Sequence, residues 1–514
     1  MSSRVGGLCG LVAVAAACGG GGQRGSWIER ESTRGDTHDT ARRGSASAGV
    51  AIDLAHVDDA AEAAVLAALD AAGDAAPAAR LALRAARLAH HRGDDAAARA
   101  LVARAATAAD EAAVHDALAA LSRELAEPPV DPAAICVLLP LTGRYAAVGD
   151  ELRIAIQLAP ADGTAWKLVD TKGDADGARA AVDDAIARGC AGILGPVGTR
   201  EAIAAAREAA LREIPIGLLA PEDGADPASG VFRLAWSPAD EGRAVARMAA
   251  ADSFPTVAVL APRDDVGGAA ADAFVAAAKQ AGLEVTAQGS YDPTGGDLQP
   301  EVKQFLGLVP AQNPRLAEHL AKHGQKGWAT FSPDIPYSLL YIPDRYDRAA
   351  IVAAYLPYYN VELRTTEFPD TAMLARKHGG RIPQVVQLVG GAGWHHPSLP
   401  IRGGAAVQGA LIVDVWAAEL GGDVASAFAA QFQQRTGRAA SSAGAEAYDA
   451  ATLIAAARAE AAHAPDVRRA LTAALAHARL DDGACGAASI GPDGELAREP
   501  SILEVSGDDL ISAP

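Results

Sequence analysis

The stretch Gly195-Pro196-Val197-Gly198-Thr199 is the clearest place for chemistry in this chain. Thr199 sets a hydroxyl at the start of a helix-spaced segment, and the free N–H groups of a helix start favour an anion. Two further loops follow short apolar runs in the same way: Leu141-Thr142-Gly143-Arg144, and Ala220-Pro221-Glu222. Thr142, Gly195, Val197, Gly198, Thr199, Ala220 and Glu222 are therefore candidate ligand-lining positions. Tyr346 and Trp394 are aromatic candidates for an opposing wall, with core packing as the alternative for each. The chemistry these types allow is binding. There is no Gly-x-Ser-x-Gly elbow, no phosphate loop and no His-Glu-x-x-His. His395-His396 are adjacent, so on a strand or a helix they point apart and make no metal pair. The pairs Asp183-Asp184 and Asp264-Asp265 fall on polar faces or turns, where solvation is the default. No catalytic set, metal or cofactor is expected.

Apolar runs at 135–140, 191–194 and 214–220 alternate with helix-spaced segments, including one at 177–188. That alternation implies βαβ units and a parallel sheet. Ligands of such sheets sit at the carboxyl ends of the strands, where Thr142, 195–199 and 220–222 all fall. Residues 233–238 lead away from this sheet, and strand 256–261, helix 269–281 and strand 283–290 make another βαβ unit. Residues 298–336 form an insertion of mixed polar and basic character. Strand 338–344, helix 346–356, strand 385–389 and the exit loop 390–394 follow, and a further apolar run lies at 410–414. Helices at 424–436, 445–461 and 465–476 precede a hairpin at 489–496 that turns at Pro492-Asp493-Gly494.

At 514 residues the chain is too long for one core, and two or three compact units are expected. A net charge of −19 argues against nucleic acid, which needs a basic patch, and otherwise serves solubility. Residues 1–18 read as a secretory signal: Arg4, an apolar middle, then small residues before Cys18. The run is too short to span a membrane. Residues 19–50 suit a flexible tether. Residues 51–127 read as helix only, with Gly73 and Gly93 between segments and Asp74 and Asp94 as caps. The form of 78–109 is similar to a degenerate tetratricopeptide-type hairpin, an interaction surface rather than a catalytic one. Cys136 and Cys190 begin neighbouring strands; a bridge between them is geometrically feasible, and two buried free thiols are the expectation.

Leu139-Pro140-Leu141-Thr142-Gly143, Ile193 to Thr199 and Ile214-Pro215-Ile216 resemble the leucine/isoleucine/valine-binding class of type I periplasmic binding proteins. The resemblance implies a two-lobed α/β domain of parallel Rossmann-like sheets flanked by helices over 133–505, preceded by the small all-α region. Lobe 1 would span about 133–235 and 418–478, and lobe 2 about 240–410 and 480–505. Ala15-Ala16-Ala17-Cys18 resembles a bacterial lipobox, implying a lipid anchor on Cys18 and a place in the cell envelope. The runs Tyr341 to Arg348, Tyr355 to Val361, Gly409 to Asp414 and Ala447-Tyr448-Asp449-Ala450 resemble a narrower branch, the penicillin-binding-protein activator lipoproteins. That branch implies a non-catalytic regulator docking on peptidoglycan synthases; the alternative is a solute receptor for an amino acid or small polar ligand feeding a transporter. In the receptor class the Gly-Pro-x-x-Thr loop holds the ligand carboxylate and an acid pairs with its ammonium. Here the exit loop reads Gly391-Ala392-Gly393, with no carboxylate. Val148 and Val266 stand where aromatics are usual, and Glu222 where a small hydroxyl is usual. The missing acid counts against capture of a zwitterion unless Glu222 replaces it.

Overall fold

The structure, a computed structural model, describes residue 52 and residues 54–513 except 73–76, 107–110, 127–128, 222–223, 367–368 and 419. The signal, the tether and Cys18 lie outside the described residues. Two compact units divide at Leu118/Ala119.

The first unit is helical. Helices Pro77–His91 and Asp95–Ala106 form a hairpin through Gly93, and the Asp94 carboxylate caps the second by accepting from the Ala97 N–H at 3.1 Å. Small residues meet between them, with Ala82, Ala86 and Ala98 fully buried. Helix Glu62–Ala72 joins the stack by way of Leu69, whose carbonyl accepts from Arg104. Among the described residues no helix is long and apolar enough to cross a membrane.

The second unit contains two lobes, each built on its own sheet. Lobe 1 carries five parallel strands: β1 (Asp131–Leu139), β2 (Ala165–Asp170), β3 (Cys190–Leu194), β4 (Ile216–Leu218) and β5 (Val231–Arg233), in the order β2-β1-β3-β4-β5. Side chains alternate across the sheet as the period of two requires. Ile135, Val137 and Leu139 enter one core beneath helices Ala146–Leu158 and Ser442–Ala461. Ala134, Cys136 and Leu138 enter another beneath helices Ala175–Ala187 and Thr199–Leu211.

Lobe 2 is built on β6 (Thr256–Pro262), β7 (Glu284–Tyr291), β8 (Leu339–Tyr341), β9 (Glu362–Leu363), β10 (Val385–Gly390) and β11 (Leu411–Asp414). Beyond it in sequence come β12 (Arg479–Leu480), β13 (Ala488–Ile490), β14 (Leu496–Arg498), β15 (Ser501–Ser506) and β16 (Asp509–Ser512). The lobe 2 sheet runs β16-β15-β11-β10-β8-β6-β7, with β9 beside β10; β15 and β16 are antiparallel additions next to β11. The expected insertion folds as helices Gln299–Phe305 and Pro314–His323 over this lobe's core.

Two expectations are corrected. Residues 480–498, assigned to lobe 2, pack in lobe 1. Cys485, Ala488, Ile490 and Leu496 join its core, and β12-β13-β14 make a separate small sheet beside helix Ser442–Ala461. A buried ion pair holds that sheet: Arg498 Nη1 donates to Asp449 Oδ2 at 2.9 Å, and the same carboxylate accepts from the Ala484 and Cys485 N–H groups. The chain thus crosses between lobes a third time, between β14 and β15. Cys136 and Cys190 form a disulfide, with Cα atoms 5.8 Å apart; parallel pairing of β1 with β3 brings the two cysteines within bridging reach. Cys485 is a buried free thiol.

Candidate functional site

Lobe 1 leads into its first crossing from the carboxyl end of β5, and lobe 2 returns across the second from the carboxyl end of β11. Because β1–β5 are parallel to one another, as are β6, β8, β10 and β11, the carboxyl edges of both sheets border the space between lobes. The loops at these edges form the site.

On the lobe 1 edge, Thr142, Gly195 to Thr199 and Ala220 follow β1, β3 and β4. The Thr142 hydroxyl donates to Asp170 Oδ2 at 2.6 Å. The N–H groups of Leu141, Thr142 and Lys172 donate to Asp170 Oδ1, at 2.9, 3.2 and 2.9 Å. Burial works against ionisation of Asp170, but these bonds prevail and hold its carboxyl below the usual range. Gly195 has φ +100°, and a Cβ there would come 2.3 Å from the Leu138 carbonyl oxygen, so only glycine lets β3 turn this closely over β1. Gly198 and Thr199 open helix Thr199–Leu211. Glu201 folds back on this opening and takes the Gly198 N–H, while the Thr171 hydroxyl donates to its other oxygen. Burial raises the Glu201 carboxyl. The helix start is thus partly filled by its own side chain, and among the described residues no acceptor takes the Thr199 and Arg200 N–H groups. Ala220 is fully buried and offers only backbone.

The lobe 2 edge holds a residue that the sequence reading missed. Glu241, in the first turn of helix Pro238–Ala251, reaches the exit loop after β10. Its Oε1 accepts from the Tyr341 hydroxyl at 2.6 Å, and its Oε2 from the Ala392 N–H at 2.9 Å. Gly391 leaves room for it: a Cβ there would lie 1.7 Å from Glu241 Cδ. The exit loop lacks an acid of its own, yet a carboxylate stands on it. Burial, reinforced by the charge of Asp414, pushes the Glu241 carboxyl up to about 7. Helix Pro238–Ala251 is fixed by a capping box in which Ser237 and Asp240 satisfy each other's backbone N–H.

Between the edges, Asp414 at the end of β11 is fully buried. It contacts His395 Nδ1 at 2.7 Å and accepts from the Ser442 hydroxyl at 3.0 Å and the Trp416 N–H at 3.2 Å. Ser, His and Asp are the types of a nucleophilic triad, but Ser442 and His395 both bond the carboxylate. The nucleophile–base–acid order is absent, and Asp414 instead ties the exit loop of lobe 2 to a helix of lobe 1. Glu446, one turn further along that helix, accepts from the Trp236 N–H at 2.6 Å. Burial raises the Glu446 carboxyl to about 7.

Trp394, a candidate wall, is fully buried in the lobe 2 core, its indole donating to the Ile342 carbonyl at 3.0 Å, because the exit loop turns back over the sheet end. It lines no open cleft. Tyr346 is partly exposed and stacks on His396 with ring centres 3.8 Å apart. Glu222 lies outside the described residues. Among the described residues no group of three or more His, Cys, Asp or Glu side chains is placed to hold a metal. Glu241 gave no signal in sequence, because its partners lie 100 and 151 residues away.

The family described as periplasmic binding protein matches residues 132–310 and 369–509. Among solved structures, a putative branched-chain amino acid ABC transporter protein from Rhodospirillum rubrum aligns with a TM-score of 0.56 at 21% identity, over 75% of this chain and 100% of that one. An ABC transporter substrate-binding protein from Sphaerobacter thermophilus aligns at 0.54 and 18% identity, over 75% and 97%. A solute-binding protein from Rhodopseudomonas palustris BisB5, in complex with 3,4-dihydroxybenzoic acid, aligns at 0.51 and 17% identity, over 74% and 96%. No curated protein matches the chain.

Proposed function

The chain belongs to the periplasmic binding protein family, and from that premise we propose that it captures a small polar solute between its lobes, outside the cytoplasm, for delivery to a transporter. The observation that carries this reading is the Glu241 carboxylate held on the exit loop by Tyr341 and Ala392. It supplies the negative charge that the loop itself lacks. The helix start at Thr199 and Arg200 supplies N–H groups for a carboxylate. A ligand with an ammonium and a carboxylate, such as an amino acid, satisfies both ends. One solved relative is described as a putative branched-chain amino acid ABC transporter and another is in complex with 3,4-dihydroxybenzoic acid, and both names point to solutes that carry a carboxyl group. The disulfide Cys136–Cys190 suits an oxidising compartment.

The test is thermal shift followed by calorimetry against a panel of amino acids and benzoates. A zwitterion should raise the midpoint through linkage, and Glu241→Gln should weaken it about tenfold or more. A full panel without a shift overturns the reading; a response to benzoates alone leaves receptor function standing and removes the ammonium site.

One observation favours a second reading, regulation of a peptidoglycan synthase by a lipid-anchored envelope protein. Ile351, Tyr358 and Ile401 on lobe 2 are 49%, 67% and 73% exposed, which gives that lobe an apolar face for a protein partner. Lipidation at Cys18 would tether the chain to a membrane surface. Pull-down against bifunctional peptidoglycan synthases, with an unrelated lipoprotein as control, tests it; equal recovery in both rejects it.

A further inference from the structure

Away from the carboxyl edges, a cavity of about 1080 Å³ lies between the β12–β14 sheet of lobe 1 and helix Pro238–Ala251 of lobe 2. Trp236, Arg243, Arg247, Arg479 and Arg498 contribute to its wall. Its unfilled hydrogen-bonding capacity is one-sided. Arg498 has a side chain with 0% exposure and spends Nη1 on Asp449, while its Nε and Nη2 have no acceptor. The Trp236 indole N–H has none either. Every one of these orphans is a donor, and a buried donor left unpaired is destabilising. Arg247 lines the same cavity from the helix, and no carboxylate among the described residues pairs with it.

The acids nearby are already engaged. Asp240 pairs with Arg233 and Arg243, Glu495 with Arg233, and Asp481 with Arg479. Asp493 accepts the Glu495 N–H. Glu499 stands exposed at the rim. What the cavity lacks is an acceptor.

We infer that this hinge cavity is a second ligand site, taking a small molecule through an oxyanion group, carboxylate or phosphate, held by Arg247, Arg479 and the unpaired donors of Arg498 and Trp236. Its walls come from different lobes, so an occupant spans the hinge. Binding there is coupled to the angle between lobes and, through it, to the main cleft. The site shares no residue with the Glu241 exit-loop site.

The experiment uses the full chain, titrated with inorganic phosphate in one arm and succinate in the other, each against sodium chloride at matched ionic strength. Calorimetry and thermal shift are read on wild type, Arg247→Glu, Arg479→Glu and Glu241→Gln. A saturable response to one anion is expected, weakened about tenfold in Arg247→Glu and in Arg479→Glu and unchanged in Glu241→Gln. The arm that responds identifies the oxyanion. No saturable response in either arm, or one that both arginine variants retain, overturns the second site. A response lost only in Glu241→Gln places the anion in the main cleft and overturns it equally, while leaving the proposed solute-binding function intact.

Discussion

At the scale of single residues, two carboxylates decide how the cleft responds to pH. Glu241 must be ionised to hold an ammonium, and its carboxyl is pushed up to about 7 by burial. Affinity for a cationic or zwitterionic solute should therefore rise about tenfold per pH unit below 7 and level off above it. Calorimetry between pH 5.5 and 8.5 checks this; a flat profile for an ammonium ligand would remove Glu241 from the site. Glu446 bears on stability instead. Its folded-state value of about 7 lies above the ordinary 4.5. The folded chain therefore keeps a proton that the unfolded chain gives up, and stability is lost as pH climbs from 4.5 through 7. Glu446→Gln keeps an acceptor for the Trp236 N–H and escapes that loss. Discounted for partial solvent access, the variant should gain about 1–2 kcal/mol on wild type between pH 5 and pH 8, measured by denaturant unfolding.

At the scale of elements, what could be foreseen was what is local. Alternating apolar runs and helix-spaced segments fixed the strands at 135–140, 191–194 and 385–389, and the Gly-Pro-x-x-Thr loop fixed the start of helix Thr199–Leu211. Contacts that join distant elements could not be read from spacing. Glu241 reaches its loop only once helix Pro238–Ala251 lies against β8 and β10. Trp394 sits in a glycine-rich loop that reads as open, yet a short turn folds the ring into the core. Strands β12–β14, only two or three residues each, gave no hint of which lobe they cover. The cysteine pair depends on the register of β1 against β3. Because that bridge closes a loop of 54 residues, its removal by Cys136→Ala should cost about 2–4 kcal/mol, read as a lower midpoint in urea. A reducing agent should destabilise wild type by a similar amount and leave the variant unaffected.

At the scale of the molecule, three crossings and the Asp414 network join the lobes. His395 on the lobe 2 exit loop and Ser442 on a lobe 1 helix meet on one carboxylate, so motion between lobes is expected to turn about this point. A bound solute that engages Thr199 and Glu241 together should close the lobes. Small-angle scattering of the second unit with and without saturating solute should then show a smaller radius of gyration in the bound state. Identical curves would mean that the lobes stay fixed.

The strand β15 has a consequence for how the protein is made. It lies beside β11 in lobe 2, while lobe 1 still awaits β12–β14 and three helices from the stretch 423–498. Lobe 1 cannot finish its core during synthesis until Arg498 has emerged, nor lobe 2 until Ser506, so each half waits for residues from late in the chain. In the extracytoplasmic role proposed above, such late completion would keep the polypeptide threadable through a narrow translocation channel, and both halves would assemble on the far side, where Cys136 and Cys190 would meet an oxidant.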